Sequence, residues 1–140
     1  MKEITALIIE DDQDISFLFS QALGAAGFKC EVALTGDEAL ERLAVSRPDV
    51  VVLDLHLPRV SGTDILRQIR ADERLKETRV LVTTAHPSMA KTIGDEADLV
   101  MLKPVGFRQI RGLVSTLMED LGIKEEEEEK EEEDPGPDSN

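Results

Sequence analysis

The 140-residue chain is long enough for one domain with a real core and too short for two ordinary ones. Its apolar fraction is an ordinary 41%, but only 3% is aromatic, with no Trp or Tyr, so the core must be aliphatic. The formal charge of −14 is unevenly spread: residues 124–140 hold ten acids against two lysines, and the rest of the chain carries only −6. A moderately acidic body with neither a basic stripe nor a basic amphipathic helix excludes the usual modes of nucleic-acid and anionic-membrane binding.

In chain order, the first apolar run, Leu7-Ile8-Ile9, ends on two acids, Glu10 and Asp11. It is too short for a signal peptide, and no run approaches a membrane span, which leads us to expect a cytoplasmic protein. Ile15, Leu18, Phe19, Ala22, Leu23 and Ala26 then fall at helical spacing, with Asp12 as the expected N-cap and Gly27 as the stop. A second strand is expected over 28–33, where the single cysteine, Cys30, reads as a buried structural thiol. A helix over 36–45 carries Ala39, Leu40, Leu43 and Ala44 on one face, and Arg47-Pro48-Asp49 breaks it.

The third run, Val50-Val51-Val52-Leu53, ends on Asp54, and a helix after Gly62 turns Ile65, Leu66 and Ile69 inward. The fourth, Val80-Leu81-Val82, leads to Thr84, followed by a short polar helix from Pro87 to about Glu96. The fifth, Leu99-Val100-Met101-Leu102, leads to Lys103. A last helix places Phe107, Ile110, Leu113, Val114, Leu117, Met118 and Leu121 on one stripe. Regular βα alternation means an α/β fold, a doubly wound parallel sheet of five strands with helices on both faces. The domain is expected over residues 1–123. Residues 124–140, Glu-rich and then Asp134-Pro135-Gly136-Pro137, read as a disordered acidic tail.

Parallel strands bring their carboxyl ends to one rim, so Glu10, Asp11, Asp54, Thr84 and Lys103 are expected to converge there. Three carboxylates close together repel, and at least one pKa should rise. A hard divalent cation resolves the repulsion, and an oxygen-rich donor set favours Mg²⁺ over zinc. With that charge compensated, a carboxylate such as Asp54 can attack phosphorus and form an acyl phosphate. The Lys103 ammonium and the Thr84 hydroxyl would help hold the equatorial oxygens.

The ordered set over residues 4–121 resembles the receiver domain of response regulators in two-component signalling. The motifs are Glu10-Asp11, then Asp54 with Pro58 and Gly62 in a D-x-x-x-P-x-x-x-G setting, Thr84-Ala85, and Lys103-Pro104. The resemblance implies a flavodoxin-like strand order 2-1-3-4-5, Asp54 as phosphoacceptor, and Mg²⁺ held by Glu10 (often through water), Asp11, Asp54 and the main-chain carbonyl of His56. It also implies a cis Lys103-Pro104 bond. The donor would be a histidine kinase or a histidine phosphotransfer protein. With no residues left over for an attached output domain, the expectation is a stand-alone protein acting on a separate downstream protein, as a monomer or weak dimer. It would not be an enzyme with a diffusible substrate.

Two departures stand out. Members usually carry Tyr or Phe at the position of Val100, and the stretch between Thr84 and Lys103 is about one helical turn short, which shortens the fourth helix. These favour, as an alternative, a receiver-like interaction module that signals without phosphorylation. A phosphatase using an aspartyl nucleophile is a further alternative, but such enzymes usually need an Asp two residues after the nucleophile, where this chain has His56. His56 and His86, each two residues after a site residue, read as solvated loop histidines.

Overall fold

The computed structural model describes residues 3–123, so the proposed acidic tail lies outside the described residues. Its core is a sheet of β1 (Thr5–Ile9), β2 (Lys29–Ala33), β3 (Val50–Asp54), β4 (Arg79–Thr84) and β5 (Leu99–Leu102). All pairings are parallel and the order is β2-β1-β3-β4-β5, as the resemblance implied. The helices are α1 (Gln13–Ala25), α2 (Gly36–Val45), α3 (Gly62–Ala71), α4 (Pro87–Ile93) and α5 (Phe107–Asp120).

Successive strand residues point to opposite faces, and the apolar residues divide accordingly. Leu7, Ile9, Val51, Leu53, Val80 and Val82 pack with Ala39, Leu43, Ile65, Leu66 and Ile69 of α2 and α3. Ala6, Ile8, Val50, Val52, Leu81 and Met101 pack with Phe19, Leu23, Ile110 and Leu117 of α1 and α5. Central β3 is buried on both faces throughout, which is why its sequence is an unbroken apolar run rather than an alternation.

Local signals fix the helix starts. Asp12 accepts from the Ile15 N–H and caps α1, with Asp14 in the first turn, as expected. Thr35 caps α2 through the Glu38 N–H, while Glu38 Oε1 reaches back to the Leu34 N–H, a variant of the capping box. Ser61 caps α3. The shortened α4 has seven residues and passes into a 3₁₀ turn at Gly94–Glu96. Arg70, at the end of α3, holds that segment: it donates to the carbonyls of Glu96 (2.6 Å) and Thr78 (3.1 Å) and pairs with Asp98 (2.8 Å).

Two expectations need correction, and one element is new. Phe107 opens α5 and is 40% exposed, because its stripe begins to be covered only a turn later, at Ile110. Cys30 is half-buried on edge strand β2, its thiol against the carbonyls of Ser20 and Phe28, and burial raises its pKa. A 3₁₀ turn at Glu73–Leu75, capped by Asp72, was not expected.

Candidate functional site

The strand alternation that builds the core also builds the site. Beyond Ile8, Val52, Leu81 and Met101 on the α1/α5 face, the next residues of the same parity are Glu10, Asp54, Thr83 and Lys103. The first, second and fourth meet: Lys103 Nζ lies 3.3 Å from Glu10 Oε1 and 3.3 Å from Asp54 Oδ2. Glu10 and Asp54 are almost fully buried, at 1% and 2% exposed. Asp11 is exposed at the mouth, and one carboxylate oxygen from each of Glu10, Asp11 and Asp54 falls within 4.8 Å of the others.

One ammonium cannot compensate two buried carboxylates. Glu10 bears the cost: burial, and then the Asp54 charge, push its pKa up to about 7, against the opposing effects of the Asp12 N–H and Lys103. Burial pulls the Lys103 pKa down, but the Glu10 and Asp54 charges overcome that and leave it raised. The predicted rise of at least one carboxyl pKa is therefore found, and it falls on Glu10. A cluster with excess negative charge and only oxygen donors fits a hard divalent cation.

The loop after β3 is pressed onto the site. The Gly62 N–H donates to the Leu55 carbonyl (3.2 Å). A Cβ at Gly62 would lie 2.5 Å from Leu55 Cα and closer still to the Asp54 carbonyl oxygen, so the glycine at the end of the D-x-x-x-P-x-x-x-G motif is required by space. The His56 N–H donates to Asp54 Oδ1 (3.0 Å), orienting the carboxylate. The Lys103-Pro104 bond is cis.

Thr84, by contrast, has the opposite parity to Asp54, and it joins the rim indirectly. Its hydroxyl hydrogen-bonds His56 Nε2 (2.9 Å) and accepts from the His86 N–H (3.1 Å). The two imidazoles meet edge to face with centroids 4.7 Å apart. Both residues are exposed, as expected, but neither is an idle loop histidine: His56 spans Asp54 and Thr84, and His86 is the N-cap residue of α4. Val100 is half-buried against the cluster that contains Val82 and Ile93.

The family model for the response regulator receiver domain matches residues 6–115. Response regulator MprA of Mycobacterium ulcerans is 28% identical over 126 residues, covering 88% of this chain and 53% of MprA. The chain thus spans about half the length of the curated relatives it matches. The signal receiver domain of a DNA binding response regulator from Colwellia psychrerythraea 34H superposes with a TM-score of 0.75 at 25% identity, covering 84% of this chain and 99% of that one. The BeF3-activated receiver domain of DrrB, a Thermotoga maritima response regulator, gives 0.74 at 26% identity, covering 84% and 99%. No helix among the described residues is long and apolar enough to cross a membrane. Sheet order, rim chemistry and these matches agree, and the chain belongs to the response regulator receiver domain family.

Proposed function

We propose that the protein is a phosphoacceptor of a two-component relay, in which Asp54 receives a phosphoryl group from the phosphohistidine of a histidine kinase or phosphotransfer protein. The observation that carries this reading is the Lys103 ammonium shared at 3.3 Å between Asp54 and Glu10, with Asp11 at the mouth. An Asp54 oxygen attacks phosphorus, the P–N bond breaks, the donor imidazole keeps the electron pair, and an acyl phosphate forms. The His56 N–H fixes the carboxylate for attack, and Lys103 offsets charge on the phosphoryl oxygens. The Thr84 hydroxyl is the further donor to those oxygens, once it leaves His56.

Glu10, Asp11, Asp54 and the main-chain carbonyl of His56 are the residues that would hold Mg²⁺. When bound, the cation neutralises the carboxylates and the incoming phosphate oxygens. That DrrB is described as BeF3-activated supports this reading, since trifluoroberyllate has the charge and shape of a phosphoryl group. The phosphorylated receiver then presents an altered surface to an output protein or domain.

Incubation with acetyl phosphate and Mg²⁺ tests the proposal by intact mass. Wild type should gain one phosphoryl group and Asp54→Asn none. No Asp54-dependent gain of phosphoryl mass would instead favour an interaction module that signals without phosphorylation. The engagement of Thr84 by His56, with Val100 at the usual aromatic position, is the observation on that side.

A further inference from the structure

Thr83 is 0% exposed, and its hydroxyl has no hydrogen-bond partner among the described residues. It is the direct neighbour of Asp54 in the β3–β4 ladder and of Met101 in the β4–β5 ladder. Adjacent residues of a parallel ladder project to the same face, so the Thr83 side chain stands beside the Asp54 carboxylate. Lys103 follows β5, yet its ammonium reaches Asp54 on β3 and Glu10 after β1. Its side chain must therefore cross the end of β4 on the face where Thr83 lies. A buried hydroxyl without a partner destabilises the resting fold, and valine would fill the same space without that penalty.

An ammonium has three N–H donors, and in the resting arrangement two carboxylates share it at distances long for charge-assisted bonds. We propose that Thr83 is a positioning residue for Lys103: once Asp54 is phosphorylated, the hydroxyl accepts a hydrogen bond from the ammonium and keeps it turned toward the phosphoryl oxygens. This rests on the phosphoacceptor reading. Acyl-phosphate formation takes the charge off the Asp54 carboxylate and places it farther out on the phosphoryl group. The ammonium then needs a second anchor besides Glu10, and the Thr83 hydroxyl is the unused oxygen on its path.

The test compares wild type, Thr83→Val and Thr83→Ser, with thermal unfolding of the resting protein and the rate of Asp54 labelling by phosphoramidate and Mg²⁺, followed by intact mass. Thr83→Val should unfold at the wild-type temperature or above, yet label about tenfold more slowly, the effect of one hydrogen bond to a charged group. Thr83→Ser keeps the hydroxyl and loses a buried methyl, so it should unfold lower but label within about twofold of wild type. Wild-type labelling rates in Thr83→Val would overturn the inference, as would a slow Thr83→Ser. A lower unfolding temperature in Thr83→Val would show that the hydroxyl already has a partner at rest, and would also overturn it. Wild type that takes up no label at all would remove the phosphoacceptor reading itself.

Discussion

Glu10 offers the sharpest test of the site's electrostatics, through Glu10→Gln. Its carboxyl is 1% exposed, and its pKa rises from 4.5 to about 7, chiefly through burial and then the Asp54 charge. A raised folded-state pKa means the folded protein holds a proton that the unfolded chain has already released. Below pH 4.5 the group costs nothing; between pH 4.5 and 7 stability falls; above 7 the full penalty applies. At about 1.4 kcal/mol per pKa unit, that penalty is about 3 kcal/mol. Gln is neutral and nearly isosteric, so the variant should match wild type near pH 4.5 and exceed it by about 3 kcal/mol at pH 8. For a chain of this size that is roughly a 10 °C rise in unfolding temperature. Circular dichroism melts at pH 4.5 and 8, in chelator, read the difference directly and cancel the titrating groups that do not touch Glu10. Equal pH slopes for the two proteins would refute the reasoning.

Other outcomes follow from the same geometry. Lys103→Met removes the cation between two buried carboxylates and should destabilise by about 3 kcal/mol at pH 8 in urea unfolding, and by less at pH 5, where Glu10 is protonated. Gly62→Ala drives a methyl group into the Asp54–Leu55 backbone, so the loop must move; a loss of about 3 kcal/mol or more in the same assay is expected. Arg70→Ala releases two anchors of the segment after α4, at Glu96 and Asp98, along with the bond to Thr78, and should speed amide exchange over residues 94–99 by about tenfold while sparing β1.

The parts of the fold carried by short-range pattern were legible in the sequence. The unbroken run at Val50–Leu53 marks a strand buried on both faces, and acids at the ends of the first and third runs mark one rim. The Asp12 cap was visible because a cap is a local event. The reciprocal Thr35–Glu38 signal was equally local and went unread. Hydrogen bonds between distant segments were not legible. That His56 ties Asp54 to Thr84, 28 residues away from it, depends on how two loops fold over the rim. Parity placed Glu10, Asp54 and Lys103 on one face, but the same parity sends Thr84 to the other and brings Thr83 in. A list of rim residues taken from strand ends alone therefore named the hydroxyl held by the histidines and passed over its equally buried neighbour, which has no partner among the described residues. Arg70 likewise read as an ordinary helix-end arginine, since its partners come from the residue before β4 and from the segment between α4 and β5.

The central claim is that Asp54, and no other acid of the rim, forms the acyl phosphate. Borohydride reduces an acyl phosphate to an alcohol, so protein treated with acetyl phosphate and Mg²⁺ can be reduced, digested and sequenced by mass spectrometry. The account predicts homoserine at position 54, with Glu10 and Asp11 intact and no conversion when Mg²⁺ is chelated. Conversion at Asp11, or at no rim residue while the protein still gains phosphoryl mass, would contradict it.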